Sequence, residues 1–235
     1  MDVKNIFDSF KDFFWDIIGY FLPGLYLLLL LSTCIVPERF YSSEILNSKP
    51  DLYVFVFVVL SYILGYLIYG VGILKDKALR KRSTTERVEK ETQNNAEFRL
   101  SKEMIQKYFQ ERDMTTKIDD NIKTRKLRNL VMPFVPEVDN KTYTFMFRSD
   151  LCKHIGNVSL ILGVLGLLNK LINYLFGAVP VFKVDTNMIV LYVLLVLSYF
   201  LFRATRKYFY SIAIKIPFSA FITWKEKKTE KKSGE

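Results

Sequence analysis

One histidine (His154) and two cysteines (Cys34, Cys152) are spread over 235 residues. Structural zinc needs four Cys or His ligands at short spacings, so a zinc site is excluded. No constellation for another metal or a cofactor stands out, and none is expected. Cys34 falls near the end of one apolar segment and Cys152 just ahead of a later one. The topology derived below puts them at opposite membrane faces, so a disulfide between them is not expected. Negative charge is also short: 24 Asp and Glu stand against 34 Lys and Arg, a net +10. The N-terminus has no dominant basic region and no small-residue cleavage site, and four acidic residues precede the first apolar run. It is therefore expected to stay in the mature protein rather than leave as a signal peptide.

What the chain does have is apolar residues in blocks. They make up 50% of the sequence, with the charges gathered between the blocks. Helices that face lipid give this pattern. Residues 3–16 place Val3, Ile6, Phe7, Phe10, Phe13 and Phe14 at three- and four-residue steps, and predict an interfacial helix anchored by Trp15 and Tyr20. A first span is expected from Ile17 to Val36, bent at Pro23-Gly24. Residues 37–51 read as a short polar loop. Leu52–Leu74 is 23 residues without a charge, more than the roughly 20 needed to cross a hydrocarbon core. Tyr62, Tyr66 and Tyr69 share one face of this second span and are expected to line a neighbour or a wet cavity.

Residues 75–154 form the large basic insertion, with 19 Lys or Arg against 13 Asp or Glu. Leu100, Met104 and Tyr108, with Ile105 and Phe109, predict a helix with one apolar face. The run NLVMPFVPEV predicts a turn or extended linker because of its two prolines. A third span is expected from Ile155 to Phe176, and a fourth from Met188 to Phe202 or Tyr210. Residues 208–224 are apolar but carry Lys215 and Pro217, and read as interfacial or re-entrant. The last eleven residues read as a solvated charged tail.

The expected architecture is all-α and integral to the membrane. It has about four transmembrane helices, with a helical insertion between spans two and three. The segments are 1–74, 75–154, 155–210 and 211–235. Thirty basic residues fall on the side of the insertion and four on the other, which puts both termini in the cytoplasm.

Few residues offer chemistry. Arg148 and His154, six apart, resemble the motif of HEPN-type ribonucleases, in which such a pair polarises the RNA phosphate and moves a ribose proton. Basic residues at the edge of a membrane helix satisfy the same spacing. Asp16, Pro23 and Gly24 in DIIGYFLPG, together with Tyr62, Tyr66 and Tyr69, are candidates for a pore or gate. Lys170 is the one charge inside a span, near enough to its end to snorkel out.

The DIIGYFLPG string, the four-span plan and the Arg148–His154 spacing resemble small membrane effector and accessory proteins of bacterial anti-phage systems. Among these are the proteins encoded beside the Cas13b nuclease of type VI-B CRISPR loci. The resemblance implies a bacterial inner-membrane protein that permeabilises the membrane during phage defence. Three functions are weighed: a homo-oligomeric pore, to which the glycine- and tyrosine-rich second span and the lack of an enzyme constellation point, a membrane-tethered RNase using Arg148 and His154, or a non-enzymatic scaffold. Besides lipid and further copies of itself, the expected partner is a soluble effector protein or RNA at residues 75–150.

Overall fold

A computed structural model describes residues 17–35, 50–78, 83–112, 118–119, 121–177 and 180–233. Helices dominate, and the described residues contain no strand. A π turn, Ile17–Phe21, leads into α1 (Leu22–Cys34), followed by α2 (Pro50–Ala78), α3 (Thr84–Gln93), α4 (Ala96–Gln110) and α5 (Thr124–Val131). Two 3-10 turns, Met132–Phe134 and Pro136–Val138, lead to α6 (Asp139–Phe176) and α7 (Thr186–Ser233). Among the described residues, four segments are long and apolar enough to cross a membrane: Ile17–Cys34, Asp51–Ala78, Pro136–Phe176 and Thr186–Thr229.

Several boundaries differ from the sequence expectation. Pro23 sits in the first turn of α1, directly after the π turn, so the chain reaches the proline from a wider, irregular helical turn. The irregularity precedes the proline, as the π turn. Of the two forms expected of the double-proline run, turn or extended linker, it takes the turn: two 3-10 turns, each with its proline at a starting position. Directly after it α6 begins at Asp139, well ahead of Ile155. Residues 208–224 are the middle of α7, one helix that continues through Pro217.

The chain divides into two compact units, one made of Met1–Ala78 and Asp150–Ala204, the other of Leu79–Ser149 and Thr205–Glu235. The second unit explains the fate of Pro217. Tyr210, Ile214, Phe218 and Phe221 recur along α7 at helical steps and are buried against Val88, Phe98, Ile105, Ile122, Leu127, Val131 and Val135. A proline inside a helix costs about 3 kcal/mol. Burying one large apolar side chain contributes about 1.5–3 kcal/mol, so a core that takes in four residues of this stretch outweighs it. Lys215 is exposed while Ile214 and Phe218 are buried, so the stretch is amphipathic rather than interrupted.

Local chemistry fixes the remaining ends of this unit. Ser83 caps α3 by accepting a hydrogen bond from the Glu86 backbone N–H at 3.1 Å. The buried Thr124 donates to the Glu89 carbonyl, tying the start of α5 to α3. On α4 the inward face is Phe98, Ser101 and Ile105, with Met104, Tyr108 and Phe109 beside it. Leu100, expected on that face, points out.

In the first unit Cys34, Ile68, Val158, Leu162, Tyr192 and Leu195 form the core. Hydroxyls on its apolar helices turn back on their own carbonyls, Ser61 to Phe57 and Ser159 to Ile155. Cys34 and Cys152 are both free thiols.

Candidate functional site: the tyrosine face of the second helix

The first unit places most of the sequence candidates together. A Cβ on Gly24 would run into the Ser61 carbonyl, and one on Gly65 into the Tyr20 carbonyl. These two glycines let the backbone of the π turn and α1 lie directly against α2, as small residues do in membrane helix pairs. Pro23 and Gly24 are both buried there, so their place is at a helix–helix contact. Asp16 lies outside the described residues.

That close approach seats Tyr20 in the tyrosine face of α2. Its ring stacks on Tyr66 with centroids 4.0 Å apart, and meets Tyr62 and Tyr69 edge-on at 6.4 and 5.4 Å. The hydroxyls of Tyr62 and Tyr66 are 3.4 Å apart. Offset-stacked and edge-to-face pairs of this kind add about 0.5–1.5 kcal/mol each beyond their burial. Thus the neighbour that Tyr62, Tyr66 and Tyr69 line is Tyr20. Tyr66 and Tyr69 nevertheless keep an exposed edge, at 47% and 37%.

The face continues into a polar cluster at the C-terminal end of α2. Tyr69 packs on the His154 ring at 5.2 Å. Gly72 leaves the room: a Cβ there would sit 3.0 Å from Lys153 Cε and 3.1 Å from His154 Cε1. Lys153, its side chain 8% exposed, pairs with Asp76 at 2.8 Å. Lys75 donates to Asn157 Oδ1 at 2.5 Å, and its ammonium lies 5.1 Å from the centre of the Tyr199 ring. Charges this close to apolar helices need partners: Lys153 and Asp76 pair with each other, while Lys75 rests on a neutral amide and a ring.

Arg148 and His154 are placed differently. His154 is 2% exposed. Arg148 is exposed and lies over the Phe145 and Phe209 rings of the second unit. Six residues on one helix correspond to about 9 Å of rise and about 240° of rotation, so the two side chains leave α6 on different faces. For the pair to act on one phosphate, His154 has to leave its packed position.

Lys170 donates to the Val184 carbonyl at 3.3 Å. It belongs to a set of bonds that fixes the segment after α6. Asn169 bonds both Phe182 O and Val181 N, Tyr192 donates to Lys183 O, and Lys183 N donates to Cys34 O. Lys170 is thus a ligand for loop carbonyls at the end of its helix.

The second unit carries a part-buried ionic group. Glu89 Oε1 accepts from Arg125 Nε at 2.5 Å and from the Tyr210 hydroxyl at 2.7 Å. Burial works against the charge on Arg125, but Tyr210 and Glu89 outweigh it and hold the guanidinium above its ordinary value. The group ties α3, α5 and α7 together.

Sequence reasoning missed Asp76, Lys153, Asn157 and Tyr199. Lys75 and Asp76 carried a signal, since they end the charge-free run of α2. Asn157 carried one as an amide at the start of an apolar segment. The partners they find depend on which faces of α2 and α6 meet. Comparisons with protein-family models, with curated proteins and with solved structures find no match to this chain.

Proposed function

We propose that the first unit lies in a membrane and that several copies of the chain assemble around a pore, with the second unit on the cytoplasmic side receiving the signal that opens it. The membrane reading is supported by four helices of sufficient length and apolarity, whose outward side chains are themselves apolar. The observation that carries the assembly is the exposed edge of Tyr66 and Tyr69 on α2, hydroxyl-bearing rings among the exposed aliphatic side chains Ile63, Leu67, Val71 and Ile73. Within one copy that face is closed by Tyr20, and the backbones meet at Gly24 and Gly65. A water path therefore runs between copies, along the tyrosine edges. The setting in phage defence and in a bacterial inner membrane rests on the sequence resemblance, and the orientation on the charge asymmetry.

The test is particle mass in detergent, corrected for bound detergent, together with dye release from vesicles. A discrete ring of about five or more copies, with leakage weakened by a Tyr66→Leu, Tyr69→Leu double variant, is the expected result. A monomer in vesicles that stay tight at every protein density sinks the pore.

One observation favours a second reading, a membrane-tethered docking module. The second unit has a complete hydrophobic core of its own, which a simple pore does not need. Lys123, just ahead of α5, and Lys126 on it stand exposed near Arg128. Charge reversal of these three is expected to abolish capture of an acidic partner protein or RNA and to leave the membrane unit intact.

A further inference from the structure

An apolar groove of about 270 Å³ runs along α2, lined by Leu64, Leu67, Ile68 and Val71, with Leu27 from α1 and Val158, Ile161 and Leu162 from α6. Asn157 completes the lining at one end. It is 5% exposed, and its Nδ2 is buried with no hydrogen-bond partner among the described residues. An unsatisfied amide donor next to an apolar groove costs free energy until something with an acceptor arrives. Its Oδ1 is already taken by Lys75, and Lys75 follows Val71 by one turn on the same face of α2. The ammonium has three donors, of which Asn157 uses one. So hydrocarbon walls lead to an amide donor, and the amide leads to a cation.

From this we infer that the groove is a lipid site: it holds one acyl chain of an anionic glycerophospholipid, whose ester carbonyl or phosphate reaches Asn157 Nδ2 and Lys75. The shape supports a chain over a compact ligand, because Leu64 to Val71 is about 10 Å of helix. The charge selects the headgroup, since Lys75 has no carboxylate partner at the groove while its neighbours Lys153 and Asp76 neutralise each other. Leu67 and Ile161 stand on the open rim, at 59% and 46% exposure, so a chain can enter sideways from the bilayer. The inference rests on the membrane placement proposed above. It adds a bound lipid that fills the space between α1, α2 and α6.

Native mass spectrometry of the full chain, delipidated in detergent, tests it by titration with phosphatidylglycerol and phosphatidylcholine of matched chains. Flotation with vesicles is run in parallel. The wild type is expected to retain one phosphatidylglycerol preferentially. Lys75→Gln should weaken phosphatidylglycerol roughly fivefold and leave phosphatidylcholine unchanged. Ile161→Trp, which fills the groove from its rim, should lower both. Leu201→Trp, exposed and away from the lining, serves as the control and should change neither. Protein that does not float with vesicles refutes the membrane placement itself. Protein that floats, yet binds both lipids alike in wild type and Lys75→Gln, or is unaffected by Ile161→Trp, refutes the lipid site and leaves the placement standing.

Discussion

In the unit built from Met1–Ala78 and Asp150–Ala204, Phe55, Leu74 and Leu201 stand about two-thirds exposed, while Ser61, His154, Asn157 and Ser159 are buried. In the other unit Phe218 and Phe221 are fully buried, and among its described residues only Leu100, Tyr143 and Tyr208 are large exposed hydrophobics. The two units are built from stretches of similar sequence. Residues 208–224 are as aromatic as Leu52–Leu74, yet one stretch feeds a core and the other faces outward. The difference lies in periodicity and partners. The buried residues of α7 recur at four and three with Lys215 off the stripe, and α3, α4 and α5 supply a matching apolar face. The charge-free run of α2 has apolar residues all round and meets its neighbours at only a few close points. Burial of large apolar side chains builds the second unit, and close packing of small and polar groups holds the first.

The largest effect that sharpens this contrast belongs to Gly24. Gly24→Leu places a side chain into the Ser61 carbonyl and forces α1 off α2. Overpacking usually costs about 1–3 kcal/mol, and more where the obstacle is backbone. The expected outcome is loss of the thermal transition of the first unit in detergent, followed through tyrosine environment. Gly70→Leu makes the same chemical change where nothing lies within 4 Å, and should leave the transition in place. Equal losses from the two variants would mean that helix contact is not what holds this unit.

Next comes a matched pair of truncations. Phe218→Ala empties the core of the second unit, where Phe98 meets it edge-to-face with centroids 5.5 Å apart, and should cost about 3–5 kcal/mol. Phe55→Ala, at 65% exposure in the first unit, should change folding by less than about 0.5 kcal/mol when detergent or lipid covers it. Denaturant unfolding of the full chain in one detergent reads both. A large cost at Phe55 would show that its surface packs on something specific, and would direct attention to contacts between copies.

A smaller effect concerns Arg125→Met, which leaves Glu89 with Tyr210 alone. Glu89 is 13% exposed in its side chain and Arg125 is 55% exposed, so solvent screens part of the interaction. A loss of about 1–2 kcal/mol is expected, confined to the second unit. The reporter is hydrogen exchange of α3 and α5 amides, with the α2 amides as the internal reference.

Much of this was legible from the chain alone, and the illegible parts share one cause. Leu52–Leu74 is helical as expected, because a long charge-free run reads the same whatever surrounds it. The tyrosine face also followed from spacing, but its occupant, Tyr20, did not, because Tyr20 reads equally well as a headgroup anchor. Residues 208–224 were read as interfacial because Lys215 and Pro217 interrupt them when hydropathy alone is considered. Their helical stripe, 210-214-218-221, was visible and pointed to a core. What no pattern could give was the partner of that stripe, which comes from Val88 to Val135, far earlier in the chain. The same holds for Lys153 with Asp76 and for Lys75 with Asn157: each residue was in view, and only the meeting of α2 and α6 pairs them.

The weakest test isolates how much exposed charge contributes to the second unit. Lys207 pairs with Glu91 at 2.9 Å, with both side chains about half exposed. Two long side chains lose rotamer freedom to hold that geometry, and water and salt screen the attraction, so such pairs contribute about 0–1 kcal/mol. A double-mutant cycle of Lys207→Ala and Glu91→Ala should therefore give a coupling within about 0.5 kcal/mol, falling further at high salt. Arg206 next to it donates to Thr85 at 3.1 Å, so the contact between α3 and α7 survives the loss of Lys207. A coupling well above 1 kcal/mol would place the pair among the groups that build the unit. The contrast between the two units would then be narrower than burial alone implies, because the second would depend on specific polar contacts as the first does.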